Sequence, residues 1–403
     1  MSRKKTWLAL IAVPPLLLAA FVVGLFVYVN ATVVPLHPDP HKVPAATNAT
    51  PAEQWDRAVE QARQLVRASV TEQNLPGVSV AVGTGGNIVW AEGFGWADIE
   101  KKTAVRPDIR FRIGTASVAL TSAAIGLLLE RDRMHLDAEM QTYVSAFPEK
   151  QWPITLRQVM AHTAGIRRDA GDEEPVTEHC ARTAEGLKRF ADRSLVSEPG
   201  SEYRFSTYGW MLASAAVEAA AGQPFFTVMQ KQVFEPLGMR DTTAEATTDP
   251  IPDLATYYFP RFGADPRYGP QEPEPVDYSC FAGSSAFVST PSDLVRFAMG
   301  IHSGKLLKPS TVQLLQTPQR LASGDETGYG LGWDIETVTI AGKETLFVGH
   351  DGALRGGMVA SFMTFPEHGI VVAVTSNTSF ADTESIAVRI AQAFTEHASA
   401  AGK

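Results

Sequence analysis

The chain has 403 residues, enough for one enzyme-sized unit or two to three ordinary domains, and its 45% hydrophobic and 20% charged residues are the proportions of a globular protein. Two cysteines exclude a disulfide-built scaffold and a cysteine-based metal cluster, and neither a cofactor nor a metal is expected. The formal net charge is −9, and removing Arg3, Lys4 and Lys5 leaves −12 on the rest, a poor surface for a phosphate backbone, so no nucleic-acid partner is expected.

Thr6 to Val29 is a run of 24 residues without a charge. At about 1.5 Å per residue such a helix crosses a ~30 Å hydrocarbon layer. The three cations ahead of it predict a single-pass anchor in the cytoplasmic (inner) membrane, with the N-terminus inside and the rest in the periplasm or outside. A cleaved signal peptide is the rival reading, although its apolar core is usually only ~7–15 residues. Residues 1–30 are thus a cytoplasmic stub and anchor. Residues 31–50, with Pro35, Pro38, Pro40 and Pro44, read as an extended linker, and residues 51–400 as the large domain. Outside the cytoplasm Cys180 and Cys280 could join, which spacing alone does not establish.

Residues 51–73 place Trp55, Val59, Ala62, Leu65, Val66 and Val70 on one helical face. Strands are expected over Gly77–Gly83 and Asn87–Gly95, across the turn Thr84-Gly85-Gly86. Residues 115–245 carry a mainly helical pattern. Residues 249–275 hold seven prolines among several aromatics and read either as a rigid surface loop or as an aromatic lid. Near the C-terminus, Gly332–Val338, Thr345–His350, Gly357–Phe365 and Gly369–Ser376 are β-rich, and a helix over about 382–397 closes the chain. If the terminal strands pair, the fold is α/β of the α+β kind: one antiparallel sheet flanked by helices, a helical subdomain inserted in it, and a cleft at the junction.

Several short motifs occur in order: Pro76-Gly77, Phe111-Arg112-Ile113-Gly114, His162-Thr163-Ala164-Gly165-Ile166, Pro199-Gly200, Ser206-Thr207-Tyr208-Gly209-Trp210, Tyr329-Gly330-Leu331-Gly332-Trp333 and Gly349-His350-Asp351-Gly352. Over roughly residues 74–378 the chain resembles the serine β-lactamase and penicillin-binding-protein superfamily, in its class C and DD-peptidase-like branch. Within it, the chain is most similar to the mitochondrial serine β-lactamase-like proteins and their bacterial relatives. The resemblance implies a β-lactamase/transpeptidase-like fold and serine-hydrolase ancestry.

The family's first motif is Ser-x-x-Lys, in which a hydroxyl at a helix N-terminus has its base one turn on. The aligned residues are Thr115-Ala116-Ser117-Val118: a hydroxyl is kept at Thr115, but Val118 cannot accept a proton. At the Tyr-x-Asn motif stand Phe205-Ser206-Thr207, without the phenol; Tyr203 and Tyr208 are not expected to point where residue 205 points. The third motif survives as His350-Asp351-Gly352, with an acid where a small neutral residue is usual. The resemblance assigns the oxyanion hole to the backbone N–H groups of Thr115 and Ala353. The candidate catalytic residues are therefore Thr115 and His350, and the candidate substrate-binding residues Val118, Phe205, Thr207, Asp351, Gly352 and Ala353. His162 reads as a structural histidine in a helix-to-loop turn.

Three functions compete. In the first, a nearly inactive family member binds a peptide, a cell-wall fragment, another small molecule or a protein partner in the old cleft. In the second, Thr115 attacks with His350 as base, at modest rate, which requires the imidazole within hydrogen-bond reach of the hydroxyl, directly or through one water. In the third, a structural or assembly protein uses the domain surface.

Overall fold

A computed structural model describes residues 3–48, 51–168, 179–245, 250–272, 276–354 and 358–401, with side chains at the N-terminus described from Leu17 onward. Alternating apolar residues build the main sheet from both ends of the domain. Its strands are β1 (Ala45–Thr47), β2 (Gly77–Thr84), β3 (Asn87–Asp98), β4 (Asp334–Ile340), β5 (Lys343–Leu354), β6 (Met358–Phe365) and β7 (Ile370–Ser376). They lie in the order β1-β3-β2-β7-β6-β5-β4, with Thr103–Ala104 added beside β3. The sequence-distant strands β2 and β7 meet antiparallel, Val80 opposite Val374.

The period of two then divides the side chains between the two faces. Val80, Val82, Val372 and Val374 face helices α2 (Asp56–Glu72) and α6 (Thr383–Ala401), packing with Val59, Val66, Ile386 and Phe394. Ala81, Phe362, Val371 and Ala373 face α5 (Pro291–His302) and the helical block, in which α3 (Ser117–Glu130) and α4 (Thr207–Ala221) are central. Mixed α/β architecture with an antiparallel sheet is therefore as the sequence reading has it.

Arg3–Ala31 form one helix, α1. Among the described residues no helix is long and apolar enough to cross a membrane; the expected span Thr6–Val29 has side chains outside the described set before Leu17. From Leu17 to Tyr28 the large apolar side chains are exposed, while Val29 is buried.

The proline-rich stretch is not a free tether. Ala45–Thr47 add to the edge of β3, Ala46 opposite Gly93. Val43 is in the core, and the His37 ring lies 3.1 Å from the Pro76 carbonyl and stacks near Trp96. The reason is that the edge of β3 offers unpaired backbone groups, and four prolines leave enough N–H groups for a three-residue strand. Cys180 and Cys280 form a disulfide. The segment read as a loop or lid is, in its described part, a hairpin of Phe259–Pro260 with Pro270–Gln271. It is fastened beside the end of α1, where Arg261 donates to the Thr32 hydroxyl at 3.3 Å.

Candidate active site at the junction of sheet and helical block

Thr115 lies in a 3₁₀ turn, Gly114–Ala116, that leads directly into α3. Two glycines bring this turn against β5. A Cβ on Gly352 would lie 1.8 Å from the Ile113 carbonyl oxygen, and one on Gly114 within 3 Å of the Ala353 backbone. Gly114 also takes φ +53°, which an L side chain rarely adopts. The contact places the Ala353 N–H 3.4 Å from the Thr115 hydroxyl oxygen, and that hydroxyl donates to the Asp351 carbonyl at 3.2 Å. Thr115 is half-buried and Ala353 exposed, so this corner reaches solvent.

Val118, one turn along α3, is fully buried in the main apolar cluster. It packs as a core residue and carries no group that exchanges a proton. Phe205 stands half-buried with its ring 4.2 Å from the His162 ring and 6.3 Å from that of His350. Thr207 is the first residue of α4, whose cap is the Ser206 side chain accepting from Gly209 N–H. The Thr207 hydroxyl is buried with no hydrogen-bond partner among the described residues.

His350 is buried with both ring nitrogens engaged. Nδ1 lies 2.5 Å from the Asp351 carbonyl oxygen, an acceptor only, so Nδ1 carries the proton. Nε2 of the neutral ring then accepts from the Tyr329 hydroxyl at 2.8 Å. Beyond Tyr329 lies His162, whose Nε2 is 3.3 Å from the same phenol oxygen. The Ser206 N–H donates to His162 Nδ1 at 3.0 Å, and the Trp210 indole N–H approaches Nε2 at 3.2 Å. Two donors facing one ring leave no place for an imidazolium. Burial, with His350 nearby, correspondingly holds the His162 pKa well below its ordinary value. A neutral imidazole has a single acceptor nitrogen, so the ring accepts from only one of the Ser206 and Trp210 N–H groups.

The site thus contains a continuous path, His162 to Tyr329 to His350, ending on the Asp351 backbone. Thr115 donates to that same carbonyl instead of to the imidazole. Among the described residues, no hydrogen bond joins Thr115 to His350, as a His350 base would need.

The side chain of Asp351 corrects the sequence reading. Successive residues of a strand face opposite ways, so with His350 turned toward Phe205 and Tyr329, the Asp351 carboxyl lies on the α6 side of the sheet. There it shares a face with Ser361, its partner across the ladder, and interacts with Glu384 in the first turn of α6. Burial, reinforced by Glu384 and Asp334, pushes its pKa up to about 8. Asp351 therefore does not line the cleft, and its acid charge gives no ground for doubting anionic ligands. Asp334 is nearer the histidine: its Oδ2 accepts from Asp351 N–H at 3.2 Å and lies 3.7 Å from His350 Nδ1.

Tyr203 is a second correction. Its ring meets His162 edge-on at 5.9 Å and lies 5.7 Å from Tyr329, partly exposed at the mouth of the cluster. Tyr208 points into the core and stacks on Phe190. The residue that the sequence reading passed over is Tyr329. Its signal is the Tyr-Gly-Leu-Gly-Trp motif, which carries the resemblance without assigning this phenol a role.

A hydroxyl at the start of a buried helix, a β-strand N–H facing it, and a histidine on that strand are the parts of an acyl-transfer site built on a sheet with an inserted helical block. A family model described as Beta-lactamase matches residues 62–395, and the chain belongs to that family. It is similar to the mouse protein "Serine beta-lactamase-like protein LACTB, mitochondrial", 26% identical with 86% of this chain and 82% of that protein covered. It is also similar to "Penicillin-binding protein 4*" of Bacillus subtilis (strain 168), 23% identical over 69% of this chain and 63% of that one. Among solved structures, the D-amino acid amidase of Ochrobactrum anthropi SV3 superposes with a TM-score of 0.72 at 21% identity, covering 84% of this chain and 99% of that one. FmtA of Staphylococcus aureus gives 0.69 at 19% identity, covering 86% and 90%. These two likenesses concern the fold alone.

Proposed function

We propose that this protein is a membrane-anchored, extracytoplasmic β-lactamase-like protein whose acyl-enzyme chemistry is impaired and whose cleft binds a peptide or cell-wall ligand. The observation that carries this reading is the destination of the Thr115 proton. The hydroxyl donates to a backbone carbonyl, and the side chain one turn on is the buried Val118. A carbonyl oxygen is no general base, and loss of a positioned base typically costs ~10²–10⁴ in rate. The Ala353 N–H beside Thr115 still offers a donor of the oxyanion-hole kind, each such donor contributing roughly 3 kcal/mol of stabilisation to a developing anion. Binding can therefore outlast turnover.

The ligand class follows from the family, whose relatives include proteins named for penicillin binding. The anchor reading is supported by the uncharged run Thr6–Val29 and by the exposed apolar residues Leu17–Tyr28 of α1, which none of the described residues covers. It places the domain on the periplasmic or outer side of the cytoplasmic membrane, and the Cys180–Cys280 bridge suits that compartment.

The test is intact-mass analysis of the full chain after incubation with a penicillin and, separately, a fluorophosphonate, beside Thr115→Ala. No adduct on either protein is expected, with the penicillin retained non-covalently in equilibrium dialysis. A covalent adduct that disappears in Thr115→Ala would sink the impaired-chemistry reading.

A further inference from the structure

We propose that the aromatic hairpin Phe259–Gln271, together with Phe380, rests in the headgroup region of the membrane that holds α1. The proposal rests on the anchor reading above and adds an interaction surface to it.

The end of α1 is fastened to this part of the domain. Val29 is buried, and one turn on Arg261 of the hairpin donates to the Thr32 hydroxyl. Asn74 ties the two segments again: its Oδ1 accepts from Leu36 N–H at 2.7 Å, and its Nδ2 lies 3.4 Å from the Val34 carbonyl oxygen and 3.5 Å from that of Arg267. Val29 to Thr32 is about 4.5 Å of helix rise. If the apolar run up to Val29 lies in hydrocarbon, whatever flanks Thr32 stands at the level of the headgroups.

What flanks it is aromatic. Phe259 and Phe380 pair edge-to-face at 5.7 Å, and Phe262 and Tyr268 at 5.6 Å. Phe380 is 52% exposed, and its backbone takes φ +62°, unusual for so bulky a residue. A loop that holds a phenylalanine outward in a conformation that costs energy is explained if the ring is buried in something. Val34, 71% exposed, continues the patch toward the helix. Rings at the interface with arginines beside them are the composition that lipid headgroups favour. The occupant is the bilayer around α1, because the same residues that form the patch hold the end of that helix.

The experiment uses the full chain in phosphatidylcholine–phosphatidylglycerol vesicles carrying doxyl-labelled lipid. With the Cys180–Cys280 bridge intact, the variants Phe262→Cys and Phe380→Cys are labelled with an environment-sensitive fluorophore. Asn87→Cys serves as control, since β2 spans eight residues and puts that exposed turn roughly 26 Å away along the strand. Quenching at 262 and 380 about threefold or more above that at 87 is expected for groups seated ~5–10 Å into the interface. Protein that resists alkaline carbonate extraction yet shows equal quenching at all three positions overturns the proposal and leaves the anchor standing. Protein stripped by carbonate overturns the anchor reading, and the proposal with it.

Discussion

The Tyr329 hydroxyl reaches Nε2 of His350 across 2.8 Å, and this contact, with the Asp351 carbonyl 2.5 Å from Nδ1, decides where the histidine keeps its proton. A histidine that offers a lone pair to a tyrosine and a proton to a carbonyl is fully employed in holding the site together. The position aligned with the family's substrate-facing histidine has become part of a buried relay with His162.

Tyr329→Phe removes the shared hydroxyl and leaves His350 Nε2 without its partner in a buried setting, while His162 Nε2 keeps the Trp210 contact. A loss of about 1–3 kcal/mol in a denaturant melt is expected. Nitrogen-15 NMR of the unaltered protein should show His350 as the Nδ1–H tautomer and His162 neutral well below the pH at which an exposed histidine charges. A stable, unperturbed Tyr329→Phe would mean that the path is fortuitous.

Asp351 predicts a pH dependence. Its folded pKa of about 8 stands above the unfolded value of about 3.9. Between these limits the folded state binds more protons, so the contribution of this group to stability is present below about pH 4 and is lost as pH rises through about 8. Asp351→Asn removes that loss. Its melting temperature should exceed that of the unaltered chain at pH 8 and approach it at pH 5, with about 2–4 °C for each kcal/mol of penalty removed. An advantage that does not grow with pH would contradict a desolvated acid held beside Glu384.

Arg112 immediately precedes the Ile113-Gly114-Thr115 turn and is buried. It pairs with the partly buried Glu245, its guanidinium 3.7 Å from the Tyr257 ring centroid. Burial pushes the Glu245 pKa up even with Arg112 beside it. Arg112→Ala strands that carboxylate and should cost about 3–5 kcal/mol, whereas Arg112→Ala with Glu245→Ala should recover much of the loss. Chemical denaturation of the three variants checks this.

Gly352→Ala tests the close approach that builds the site. Its Cβ would sit 1.8 Å from the Ile113 carbonyl oxygen, so strand and turn must part. A loss of about 1–3 kcal/mol is expected from this overpacking, with penicillin binding weakened by more than stability alone accounts for. Unchanged binding would show that the turn and β5 need not touch.

Much of this architecture was legible beforehand because it depends on local pattern. Alternation places Val80, Val82, Val372 and Val374 on one face, and a strand's period of two does not change with context. Thr115, Val118 and Phe205 could be aligned from neighbouring motifs. The docking of residues 33–47 was not legible, since an edge strand's demand for partners is invisible from the segment that meets it.

The sequence by itself determined the family, the two-ended sheet and the absence of a lysine one turn from Thr115, all matters of residue type and local period. Only the tertiary structure decided that Asp351 turns away from the cleft to Glu384, that Tyr329 stands between two histidines, and that the Thr115 proton points to a carbonyl. Hydrogen-bond partners 20 to more than 200 residues apart are chosen by packing, and no local rule reports them.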